Sequence, residues 1–127
     1  MSGTIWIAVG AGGALGAMAR HGVSRAALHW LGPNFPWGTL AANVAGSMIM
    51  GLVIVWLSAR EPASPALRAF LTVGLLGAFT TFSTFSLDTV TLYRDRTLMI
   101  AALYLGASVI FSIGGLLAGL FIGRQLT

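Results

Sequence analysis

Apolar residues dominate four windows of the chain, about Thr4 to Trp30, Trp37 to Ser58, Ala66 to Tyr93 and Thr97 to Gly123, with short polar breaks between them. Each window is long enough for a helix that crosses a bilayer core, which takes roughly 20 apolar residues. The breaks have legible chemistry. Gly32-Pro33-Asn34-Phe35-Pro36 removes backbone donors and ends the first helix, Glu61-Pro62-Ala63-Ser64-Pro65 separates the second from the third, and Arg94-Asp95-Arg96 makes a charged turn before the fourth. The pattern predicts an all-α membrane protein, a single domain over residues 1–127 with four transmembrane helices per chain. Trp6, Trp30, Trp37 and Trp56 fall near predicted helix ends, where an indole buries its ring and keeps its N–H among headgroups.

One stretch violates the apolar pattern from within. Gly74 to Thr89 reads GLLGAFTTFSTFSLDT and puts Thr80, Thr81, Ser83, Thr84 and Ser86 inside the third window. A lipid-facing helix has no use for so many hydroxyls, and unwound backbone at membrane depth persists only where protein buries it or an aqueous path lines it. The expectation is a third helix broken in mid-membrane, with a polar ligand nearby.

Composition agrees with the membrane reading. The chain is 57% hydrophobic and 8% charged, with a mean hydropathy of +0.89, whereas soluble domains carry about 25% charged residues. The N-terminal Met-Ser-Gly-Thr lacks the basic region of a signal peptide, so the first window is expected to be retained as a helix. The absence of cysteine excludes disulfides and thiolate chemistry. A net charge of +4 comes from seven arginines spread singly, which form no nucleic-acid stripe and suit lipid headgroups instead.

The arginine distribution also bears on orientation. With four spans, one side receives Arg25, Arg94 and Arg96, and the other receives Arg60, Arg68 and Arg124; Arg20 lies too far inside the first window to count. Orientation follows a Lys/Arg excess on the cytoplasmic side, so this balance predicts insertion in both orientations. A cysteine introduced at Thr127 should accordingly be labelled from both sides of the membrane, and labelling from one side only would overturn the expectation. Small residues repeat at four-residue spacing, Ala8, Gly12 and Gly16 on the first helix and Gly115, Gly119 and Gly123 on the last, and read as packing surfaces. For a chain of both orientations, the closed assembly is an antiparallel, dual-topology homodimer with its two-fold axis in the membrane plane.

Several chemistries are excluded. Val9 to Gly16 imitates a dinucleotide-binding glycine loop, but the third glycine position holds Leu15 and no strand precedes it, so no nucleotide is expected. The acids Glu61, Asp88 and Asp95 and the histidines His21 and His29 form no metal constellation, and a hydroxyl nucleophile would lack a general base. The chain is not expected to be an enzyme.

What remains are neutral polar groups on helices. Thr39 and Asn43 are four apart on the second helix, and Tyr104, Ser108 and Ser112 continue that spacing on the fourth. Hydroxyls in helices often return to a carbonyl of the preceding turn, and Asn43 could serve as interhelical glue. Taken together, O–H and N–H donors suit a small anion. Phe82 and Phe85, three apart beyond the break, could add the positive edges of their rings, or could simply pack.

These residues resemble the Fluc fluoride channels of bacteria and other microbes. The resemblance spans nearly the whole chain: Gly13-Ala14-Leu15-Gly16-Ala17 with Arg20, Trp37-Gly38-Thr39-Leu40 with Asn43 and Gly46, and Gly77 followed by Thr80-Thr81-Phe82-Ser83-Thr84-Phe85-Ser86. It implies a dual-topology antiparallel dimer in the bacterial plasma membrane, with two pathways that passively and selectively export fluoride. By the same resemblance, Phe82 and Phe85 form an aromatic box that meets fluoride, Asn43 donates to it, and Tyr104, Ser108 and Ser112 make a polar track with Thr39 as a further contact. The backbone carbonyls of Gly77 and Thr80 are implied ligands of a structural sodium ion, and Arg20 is assigned to a vestibule or helix-end anchor. Asp88 is expected to be an outer polar contact. The competing reading, a proton-coupled multidrug exporter, calls for a membrane-embedded carboxylate, and the first helix has none. A structural subunit would leave the polar groups idle.

Overall fold

The computed structural model describes residues 2–127 and is helical almost throughout. Helix α1, Gly3–Leu31, begins where the Ser2 hydroxyl accepts the Ile5 N–H at 3.4 Å. It stops at Gly32, whose φ of 82° is open to glycine and costly for other residues, and whose N–H caps Leu28 at 3.0 Å. Helix α2, Trp37–Ser58, follows the proline-flanked loop.

The third window is the irregular one. It opens with a short turn, α3 (Pro65–Arg68), capped by the Ser64 hydroxyl with proline at the first helical position. A π-helical stretch, Ala69–Leu76, comes next, then one further turn, α4 (Gly77–Phe79). The helix then breaks: Thr80 (φ −86°, ψ 157°) and Thr81 (φ −151°, ψ 125°) are extended. Thr81 restarts the chain as α5, Phe82–Asp95, by accepting the Thr84 N–H on its hydroxyl at 3.2 Å. Helix α6, Leu98–Leu126, is capped in the same way by Thr97. The break read from the hydroxyl run therefore lies at Thr80–Thr81, while the π stretch before it carried no sequence signal.

Among the described residues, three stretches are long and apolar enough to cross a membrane: Trp37–Ser58, Pro65–Asp95 and Leu98–Leu126. Helix α1 has the length, 29 residues, but is not among them. Its first half is built on glycine and alanine, and Arg20, His21, Arg25 and His29 dilute its second half. Of the four spans expected, the structure thus shows four long helical segments, three of them apolar enough by composition to cross a membrane.

The glycine stripes are packing surfaces within the chain. A Cβ on Gly16 would strike the Leu75 carbonyl and lie 3.1 Å from the Phe79 nitrogen, and one on Gly74 would lie 3.1 Å from the Gly12 Cα, so α1 runs directly against the π stretch. Gly119 of α6 is opposed by the Met48 carbonyl of α2, and Gly51 returns the contact 2.7 Å from the Leu120 nitrogen. In lipid, where helices gain little from apolar burial against each other, such backbone approach supplies the packing. Large apolar side chains, among them Ile7, Leu103, Phe111 and Leu117, face outward.

Candidate functional site

The break in the third segment releases backbone groups that a continuous helix would pair internally. Two side chains from other helices take some of them. Asn43 of α2 accepts the Thr81 N–H on Oδ1 at 2.7 Å and donates from Nδ2 to the Thr81 carbonyl at 3.0 Å. Arg20 of α1 donates from Nε to the Ala78 carbonyl, also at 3.0 Å. The Thr80 hydroxyl turns back to the Leu76 carbonyl at 3.0 Å. The carbonyls of Gly77 and Thr80 accept no hydrogen bond among the described residues.

Beside the break lies a groove of about 540 Å³, to which α2 gives Asn43 and Ser47, α5 gives Phe82 and Phe85, and α6 gives Ser108 and Ser112. Gly46 forms part of its wall, and a Cβ there would lie 3.1 Å from the Phe79 ring. The Phe82 and Phe85 rings meet edge to face, 5.4 Å apart at 62°. The Ser108 hydroxyl is buried without a partner. An unpaired buried hydroxyl costs roughly 1–3 kcal/mol. Asn43 has one amide proton committed to Thr81 and a second to offer.

A second recess, about 380 Å³, is lined by Phe35, Thr39, Thr84 and Asp88. Tyr104 is fully buried and lines neither space; its ring lies 5.5 Å from Phe85 of the groove and 5.5 Å from Phe35 of the recess. Its hydroxyl donates to Asp88 at 3.0 Å. Phe35 is in turn 4.7 Å from Trp37, so a line of rings runs from Phe82 to the first loop. The other acids pair with arginine, Glu61 with Arg68 at 2.6 Å and Asp95 with Arg94 at 3.2 Å. All three carboxylate side chains thus have a partner among the described residues.

Residues 7–120 match the family described as CrcB-like protein, Camphor Resistance (CrcB). The chain belongs to the CrcB (FluC) family. A relative from Nitrobacter winogradskyi named as a fluoride-specific ion channel FluC is 48% identical over 126 residues, covering 99% of this chain and 100% of the relative. Proteins of the same name from Agrobacterium fabrum (47% identical, 93% of this chain and 94% of the relative) and Rhodospirillum centenum (51%, with the same coverages) are likewise similar. The named CrcB relatives are ion channels and not enzymes.

Within this CrcB chain the residues singled out from sequence divide into three groups. Asn43, Phe82, Phe85, Ser108 and Ser112 share the groove, with Thr80 on its wall. Thr39 lies in the other recess, and Tyr104 is buried without lining either space. Arg20 lies at the break, bonded to Ala78. Sequence reasoning missed Thr81 as the acceptor and donor for Asn43, Ala78 as the partner of Arg20, and Phe35 as the ring beside Tyr104. Thr81 stood in the hydroxyl run and Phe35 in the proline-containing loop two residues before Trp37, whereas Ala78 carried no local signal.

Proposed function

We propose that this protein is a passive, fluoride-selective channel of the bacterial plasma membrane that exports cytoplasmic fluoride and lowers its toxicity. The observation that carries the reading is the unpartnered Ser108 hydroxyl, buried in a groove whose other wall presents the edge-to-face pair Phe82 and Phe85. Ser108, Ser112 and the second Asn43 amide proton replace water around a small anion, and the positive ring edges complete the shell. Fluoride then passes Tyr104 toward Thr39. Hydrogen fluoride crosses lipid as a neutral acid and dissociates inside, so a passive pore is sufficient for export and needs no nucleotide.

The working unit in this proposal is an antiparallel, dual-topology homodimer of single four-helix transmembrane domains, in contact with lipid. Support comes from what one copy leaves uncovered. Phe82 is 78% exposed and Gly77 is exposed, although both belong to the most polar part of the third segment. A second copy closes the groove and brings the two breaks together. The carbonyls of Gly77 and Thr80, free of protein donors, would then hold a structural sodium ion, since carbonyl oxygens suit a hard cation. Such an ion supplies fixed positive potential near the anion paths.

Purified protein in liposomes loaded with fluoride is expected to release it when a potassium shunt balances charge, as read with a fluoride electrode. Release no faster than from empty liposomes would reject the channel, and chloride release at a comparable rate would reject the selectivity.

A further inference from the structure

Arg20 presents an electrostatic puzzle. A guanidinium repels a nearby cation, yet this one reaches from α1 to the break that carries the candidate cation ligands, across 58 positions of sequence. The buried Gly16, one turn earlier, lets α1 lie against the Leu75 carbonyl and the Phe79 nitrogen, and so delivers Arg20 to the Ala78 carbonyl. Asn43 holds the Thr81 backbone from the other side. The two clamps bracket the break, and the carbonyls of Gly77 and Thr80 are among the groups they leave without a donor.

We infer that Arg20 is a positioning residue of the central cation site, taking the Ala78 carbonyl through Nε and so fixing the backbone between the proposed ligands Gly77 and Thr80. The inference rests on the proposed sodium reading and deepens it. A loose Ala78 carbonyl would leave the neighbouring ligands to be ordered on ion binding, and that ordering would weaken it. What matters on this view is the donor at the Nε position, not the charge. Glutamine carries an N–H donor the same number of bonds from the backbone and has no charge. Methionine has similar length with neither donor nor charge, and lysine keeps the charge but puts a methylene where Nε stands.

The test is the sodium concentration that half-maximally raises the thermal unfolding temperature of the purified full-length dimer, with N-methylglucamine as the balancing cation. Arg20→Gln should stay within about threefold of wild type, whereas Arg20→Met should need at least about tenfold more sodium. Tenfold corresponds to about 1.4 kcal/mol, the size of one hydrogen bond to a charged or buried partner. Arg20→Lys, which keeps the native charge should Arg20→Met not fold, is expected to behave like the methionine variant. Equal sodium midpoints for Arg20→Gln and Arg20→Met, or a wild-type midpoint for Arg20→Lys, would overturn the positioning role. A wild-type protein with no sodium-dependent stabilisation would instead overturn the cation site itself, so the two failures are distinct.

Discussion

Replacing Phe85 by isoleucine is expected to slow fluoride efflux from liposomes by up to about tenfold while leaving a folded dimer. Phe85 is 8% exposed and touches the edge of Phe82 on one side and the ring of Tyr104 on the other. Isoleucine retains an apolar, fairly bulky side chain, so the core around Leu92 and Ala101 keeps most of its contacts. It removes the positive ring edge offered to an anion that has shed its water. Aromatic edge interactions are worth roughly 0.5–1.5 kcal/mol, and a loss near the top of that range at the barrier gives about a tenfold change in rate. Size-exclusion chromatography and electrode-measured efflux on the same preparation separate the two effects. Unchanged flux through a folded Phe85→Ile dimer would remove the ring from the anion path.

Gly119→Ala should destabilise the protein by roughly 1–3 kcal/mol, the usual range for overpacking, whereas Gly114→Ala on the same helix should be neutral or slightly stabilising. The contrast follows from geometry. A methyl on Gly119 meets the Met48 carbonyl and lies 3.1 Å from the Leu52 nitrogen, and both of these are backbone atoms of α2 that no rotamer change can move aside. A methyl on Gly114 has nothing within 4 Å, and alanine is the better helix former. Gly51 of α2 faces the same crossing, so the two helices separate together if either glycine is enlarged. In a bilayer there is no apolar burial to restore the contact. Thermal unfolding in detergent checks the pair, and equal stabilities would show that the crossing tolerates a wider spacing.

The glycine stripes illustrate how much of the fold was legible. Four-residue spacing marked Gly12, Gly16, Gly115 and Gly119 as contact surfaces, because small residues on one helix face have few other uses in lipid. Their partners were not legible. The π stretch reads AFLTVGLL, as apolar as any spanning helix, and its widened turns became visible only with α1 packed against Gly74 and Leu75. The same holds for Asn43. Its amide was bound to find partners, but ligand donor and interhelical glue were both open from sequence. In the folded chain it pairs with Thr81 and keeps one proton for the groove.

The sequence by itself determined the helical membrane class, the ends of the long segments, and the interruption in the third. These depend on hydropathy, on prolines and glycines that cannot continue a helix, and on hydroxyls such as Thr81 that cap locally. Tertiary structure decided which freed backbone groups are paired and which remain available. Arg20 and Asn43 lie 58 and 38 positions from the groups they bind, and only helix crossings bring them there. It also divided the polar face of α6, leaving Ser108 unpaired in the groove and enclosing Tyr104 among the rings of Phe35 and Phe85. Helical spacing puts side chains on one face, but the surroundings of each are set by the helices that pack against it.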